Sequence, residues 1–133
     1  MTDSAIISKI WNLASVLRDD GVGYGDYLEQ ITYLLFLKMA DELNQPPYNK
    51  GLAFPKLKDS DGKEIKGAET CDWTTLSNKR GAELESFYSQ MLRSLSSEKG
   101  ILGQIFTKSQ NKIQDPAKLL KVIDMIDKEK WSL

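Results

Sequence analysis

The sequence predicts an all-α fold, an irregular bundle of about five helices around a buried central helix, with a long irregular loop at about 46–72. Three observations carry that prediction. Residues 26–43 are apolar on most sides: Tyr27, Leu28, Ile31, Tyr33, Leu34, Leu35, Phe36, Leu37, Met39, Ala40 and Leu43 leave no broad polar face, and such a helix is buried on most sides. Leu84, Phe87, Tyr88, Met91, Leu92 and Leu95 recur at i, i+3, i+4, i+7, i+8 and i+11, a helical stripe without a miss. Asp115-Pro116 is a helix start, a capping carboxylate followed by proline at the first helical position.

The elements follow in order. Ser4 can cap a first helix to about Arg18, with Ile6, Ile10, Leu13, Ala14 and Leu17 on one stripe and Ile7 and Trp11 widening it. Asp19-Asp20-Gly21 ends it, and Asp26 or the preceding glycine caps the central helix. Two prolines, Pro46-Pro47, stop that helix, because they remove donors and restrict the residue before them. From Tyr48 to Asp72 no period is sustained, although Leu52–Leu57 and Glu64–Ile65 could pair across the Asp61-Gly62 turn as a small hairpin. A short turn holding Trp73 and Leu76 leads into a third helix over 80–97, closed by Gly100. Ile101–Thr107 is a short fourth helix. The fifth runs from Pro116 to about Lys130 and buries Leu119, Leu120, Ile123 and Ile126.

Composition narrows the function classes. At 133 residues the chain is read as a single helical domain spanning 1–133. Net charge is −1, but residues 1–45 carry −4 and residues 98–133 carry +2, so an anionic partner suits the second half better. There is no histidine, which excludes His-based acid–base catalysis and Ser-His triads. One cysteine, Cys71, allows no internal disulfide, and the N-terminus lacks a signal-peptide pattern; a cytoplasmic location is expected. The central helix contains Lys38 and falls short of a membrane span, so no membrane partner is expected.

Each suggestive motif has a plainer reading. Gly21-Val22-Gly23-Tyr24-Gly25 follows a helix, not the strand that a nucleotide loop needs, and reads as a connector. Gln45-Pro46-Pro47-Tyr48 resembles the motif with which amino-group DNA methyltransferases hold a flipped base, but glutamine is the wrong first residue and a helix precedes it. Asp59-Ser60-Asp61-Gly62 begins like a calcium loop without the remaining ligands. No catalytic, cofactor-binding or metal-ligating residue is predicted. Lys79, Arg80, Lys108 and Lys112, at the start of the third helix and in the loop before the fifth, are the candidates for phosphate contact.

Ile10-Trp11-Asn12-Leu13-Ala14, Leu17-Arg18, then Tyr27, Ile31 and Leu34-Leu35-Phe36-Leu37-Lys38-Met39-Ala40-Asp41-Glu42 form a pattern that resembles the N-terminal helical domain of the modification (M) subunit of type I restriction–modification systems. The later chain agrees through Asp72-Trp73, Leu76, Gly81, Leu84, Leu102, Ile105-Phe106, Asn111, Ile113, Asp115-Pro116, Leu119, Val122, Ile126 and Trp131. The resemblance implies a DNA-clamping and subunit-assembly domain of an adenine-specific DNA methyltransferase. It binds no cofactor itself; S-adenosylmethionine belongs to a second, catalytic domain absent from this chain, which is therefore expected to be inactive alone. The abrupt Trp131-Ser132-Leu133 end suits a fragment of a longer polypeptide or a truncated open reading frame. Implied partners are DNA, a specificity (S) subunit, a restriction (R) subunit and a second M subunit. The alternative is a non-catalytic protein-interaction adaptor whose exposed aromatics bind a partner helix.

Overall fold

The computed structural model describes residues 3–19, 23–59, 61, 63–113 and 115–131. Among them the regular structure is helical: α1 (Asp3–Asp19), α2 (Tyr24–Asn44), α3 (Trp73–Ser77), α4 (Gly81–Ser96), α5 (Ile101–Ile105) and α6 (Pro116–Asp127). The all-α expectation holds.

Helix α2 packs against α1, α3 and α6, and α6 in turn touches α1, α3 and α4, so the two share the centre of the bundle. The residues of α2 explain its place. Tyr27, Ile31, Tyr33, Leu34, Leu37 and Ala40 are buried, and so are two polar side chains, Gln30 and Glu42. Its start differs from the expectation: Gly23 in extended backbone is the cap, and Asp26 lies in the first turn, where a carboxylate favours the positive helix end. In α1, Ser4 lies inside the helix instead of capping it. The inner stripe is Leu13, Ala14, Val16 and Leu17; Ile7 and Trp11, expected to widen it, stand in water at 55% and 59% exposure.

The excursion after α2 is stitched down at both ends. Asn44 donates through Nδ2 to the Leu52 carbonyl at 2.9 Å and accepts the Leu52 N–H at 2.6 Å. Isolated antiparallel bridges, Lys56 with Thr70 and Lys58 with Glu64, supply the small hairpin in rudimentary form. Leu57 and Cys71 drop from it into the core. The Lys58 N–H donates to Ser94 Oγ at 2.9 Å, and its ammonium meets Glu98 at 2.6 Å, so the excursion is tied to the α4 end of the bundle.

The turn at Trp73 is a true helical turn, α3, because Asp72 caps it by accepting the Thr75 N–H at 3.0 Å. All six stripe residues of α4 are buried. Ser97, not Gly100, ends α4, since its N–H reaches the Ser94 and Leu95 carbonyls. Gly100 instead opens α5 at φ 77°, a left-handed conformation that glycine adopts without steric penalty. Asp115 caps α6 as expected, accepting the Ala117 N–H at 2.9 Å. The buried face of α6 is Leu119, Val122, Ile123 and Ile126, so Val122 takes the place expected of Leu120, which is only half-buried.

Candidate functional site

The four predicted phosphate contacts fall into two separated pairs. Lys79 precedes α4. Its ammonium is held by Glu69 and, at 3.4 Å, by Glu83, and it lies 5.2 Å from the Phe87 ring centre. The hydrogen bond it donates to Glu69 holds its pKa above the ordinary lysine value. Arg80 turns back on the preceding helix, donating to the Ser77 carbonyl at 2.8 Å and the Lys79 carbonyl at 2.7 Å. Both cations are engaged in closing the α3–α4 corner.

Lys108 sits elsewhere, against the later turns of α4. Arg93 is thirteen residues along from Arg80, roughly 20 Å of helix axis. At that level a groove of about 500 Å³ is lined by Ser89, Arg93 and Ser96 on α4 and by Lys108, Ser109, Gln110 and Asn111 from the connection after α5. Lys112 flanks it, its ammonium 3.3 Å from Gln110 Oε1. Arg93 and Lys108 are exposed, and no carboxylate is among the lining residues.

The groove wall is pinned from below. Phe106 is fully buried, its ring centre 5.1 Å from that of Tyr33 and 5.8 Å from that of Phe36. The buried Ser109 hydroxyl donates to the Leu92 carbonyl at 2.9 Å. Gln30, from α2, donates through Nε2 to the Gln110 carbonyl at 2.8 Å and accepts the Tyr88 hydroxyl at 2.9 Å. Burial pushes the Tyr88 phenol well above its ordinary pKa, so it remains a neutral donor. Tyr33, whose hydroxyl meets Glu29, is pushed up by burial in the same way. Lys108 itself is left-handed, at φ 53°, a conformation uncommon for a residue with a side chain.

Sequence reasoning missed Arg93, Ser89 and Ser96. Their signal is the polar face of α4, where they follow i, i+4 and i+7 opposite the apolar stripe. It also missed Gln30, whose role is visible only once α4 and the 106–113 connection close over it.

The calcium-like stretch is a turn: Asp59 Oδ1 accepts the Asp61 and Lys63 N–H groups at 2.9 and 3.0 Å; Ser60 and Gly62 lie outside the described residues. Gly23 and Gly25 of the glycine-rich stretch belong to the start of α2, and Gly21 and Val22 lie outside the described residues. Among the described residues no group of three or more Cys, Asp or Glu side chains could hold a metal ion.

A second surface feature lies where α1 meets α2. Ile7, Ile10, Trp11 and Ala14, with Leu28 of α2, line an apolar hollow of about 180 Å³. The neighbouring hydroxyls are occupied on their own helices, Ser15 donating to the Trp11 carbonyl and Thr32 to the Leu28 carbonyl.

Among the described residues the all-α bundle thus presents a basic, hydroxyl-lined groove and an apolar hollow. The chain belongs to the HsdM N-terminal domain family, whose pattern matches residues 6–126. It is 28% identical over 98% of its length to the type I restriction enzyme StySJI methylase subunit of Salmonella typhimurium, and 27% identical over the same share to the EcoKI methylase subunit of Escherichia coli K12. It spans 22% of the length of each of these relatives. The crystal structure of the EcoKI M protein superposes with a TM-score of 0.73 and 26% identity, covering 96% of this chain and 23% of that one.

Proposed function

We propose that this chain acts as the N-terminal helical domain of a type I adenine-specific DNA methyltransferase subunit, where it helps to enclose DNA and holds subunits together. The observation that carries the reading is the match of nearly the whole chain, in sequence and in fold, to methylase subunits of type I restriction enzymes. Methyl transfer from S-adenosylmethionine to adenine is assigned to the rest of such a subunit. The chain alone supplies neither the cofactor site nor the base pocket, and is inactive as a methyltransferase. Its partners are DNA, the specificity and restriction subunits and a second M subunit, in the cytoplasm.

The assembly half of this reading draws support from the apolar hollow, where Trp11 and Ile7 stand more than half exposed. Tryptophan that is solvated in the isolated chain is a characteristic anchor of protein interfaces. The DNA half is tested by titrating duplex DNA with the chain across a salt series. The expected result is affinity that falls linearly on a log–log scale as salt rises. Binding that is absent, or indifferent to salt, overturns the DNA half and leaves the interaction adaptor. Binding of S-adenosylmethionine by the chain alone would contradict the assignment of the cofactor to the rest of the subunit.

A further inference from the structure

We propose that the α4 groove seats the sugar–phosphate backbone of duplex DNA, with Arg93 and Lys108 on phosphates and Ser89 and Asn111 as neutral donors beside them. The inference rests on the DNA half of the reading above and places it at one surface.

Four observations converge on the groove. Its lining combines a guanidinium, an ammonium, hydroxyls and amides without a carboxylate, which is the chemistry of a phosphodiester site. Other clefts differ. The one at the end of α2 sets Glu42, Asp127 and Glu129 against Lys38, Lys128 and Lys130, and the one beside the excursion contains Asp41 and Asp72. Second, dimensions fit. Ser89 to Ser96 spans about 10 Å of helix axis, and one DNA strand presents a phosphate about every 3.4 Å of duplex axis, so the groove accommodates two or three.

Third, the wall is built before any ligand arrives. Gln30 holds the Gln110 carbonyl, Ser109 holds the Leu92 carbonyl, and the Ile113 N–H donates to Asn111 Oδ1 at 2.9 Å. That leaves the Asn111 amide to donate, at 3.5 Å, toward Ser89 Oγ. A serine hydroxyl that accepts in this way keeps its own proton for a second acceptor. A preformed site loses little freedom on binding. Fourth, Lys79 and Arg80 already hold protein partners, whereas Arg93 and Lys108 present exposed heads.

The experiment is the salt series repeated on three variants of the full chain: R93Q/K108Q, the charge-keeping R93K/K108R, and K79Q/R80Q. Both groove residues are exposed, and a thermal melt checks that each variant folds. Each lost phosphate contact removes about one from the salt slope. R93Q/K108Q is expected to bind more weakly with the slope reduced by about two, while the other two keep the parent slope. If the parent chain binds with a steep slope and R93Q/K108Q keeps it, the groove is wrong and the DNA half of the function stands. A slope reduced only in K79Q/R80Q overturns the groove in favour of the α3–α4 corner. If the parent shows no salt-dependent binding, the DNA half itself fails.

Discussion

Both carboxylate oxygens of Glu42 accept the same backbone N–H, that of Trp131, at 3.0 Å each. The pair joins the end of α2 to the segment after α6 across 89 residues of sequence. The Trp131 indole donates to the Ile126 carbonyl at 2.9 Å, and the Trp73 indole to Asp127 Oδ1 at 2.8 Å, so two tryptophans lock the end of α6 against the bundle. Lys38 stands 3.7 Å from Glu42 and 3.6 Å from Asp127 and offsets part of their charge.

Replacing Glu42 by alanine removes a charged acceptor from a buried position. A hydrogen bond to a charged group contributes about 1.5–3 kcal/mol, and Glu42→Ala is expected to lower stability to urea by that amount. A midpoint unchanged from the parent would show that the Trp131 segment is held by apolar packing alone.

Gln30 predicts a coupled loss. Gln30→Leu leaves the fully buried Tyr88 hydroxyl without its acceptor, at about 1–3 kcal/mol, and returns the carbonyl of the exposed Gln110 to water at a smaller cost. Tyr88→Phe in the same chain relieves one of the two, so the double variant should lose less than the sum of the singles. Additive losses would mean that the three groups do not act as one network.

Lys108 offers a substitution that separates stability from binding. Its left-handed backbone costs about 1–2 kcal/mol for a residue with a side chain, against about 0.5–1 kcal/mol of extra chain entropy for glycine. Lys108→Gly is therefore expected to leave stability unchanged or raise it by up to ~1.5 kcal/mol while weakening the proposed DNA binding. A clear loss of stability would assign the lysine a structural role.

Cys71 predicts an alkaline limb. Burial, then the charges of Asp72 and Glu98, push its thiol from its ordinary 9.0 up to about 12. The unfolded chain therefore releases the thiol proton first. The stabilisation is fully present below about pH 9 and is lost as pH rises toward 12, with a slope of at most about 1.4 kcal/mol per unit. Cys71→Ala should reduce the slope between pH 9 and 10, leaving the smaller contribution of buried Tyr33 and Tyr88, whose ordinary value is 10.0. The same burial predicts that a thiol reagent labels the native chain only as fast as it opens; rapid labelling would contradict it.

The hollow predicts an effect on partners and not on folding. Trp11→Ser and Ile7→Ser remove side chains that are more than half in water, so each should cost about 1 kcal/mol and leave the fold intact. If the proposed assembly role is right, co-purification with the specificity subunit or a second M subunit should fall. Retention of both interactions would remove the hollow from assembly.

What was legible in the sequence was periodicity. The α4 stripe and the Asp115-Pro116 start were read correctly because local spacing and local capping determine them. Trp11 was misplaced because a helical stripe says which residues share a face, not how much of that face another helix covers. The five residues of α3 carry too little period to register as a helix in the sequence; the cap at Asp72 is the available signal. The groove was half legible. Lys108 and Lys112 stood out as loop cations, but Arg93 joins them only through the packing of α4 against the connection after α5. Lys79 and Arg80 looked equivalent to them in sequence, and only the three-dimensional positions of Glu69 and the Ser77 carbonyl distinguish the pairs.

The three indoles also divide in an unusual way: Trp73 and Trp131 are sealed in the core at 2% and 5% exposure, while Trp11 faces water at 59%. The molecule thus carries its own optical gauge. Two emitters report on the integrity of the bundle, and the third, on a separate face, reports on whatever comes to cover the hollow. A shift of emission to shorter wavelength on adding a partner, with the bundle still folded, would be the light signature of docking, readable with no dye or tag.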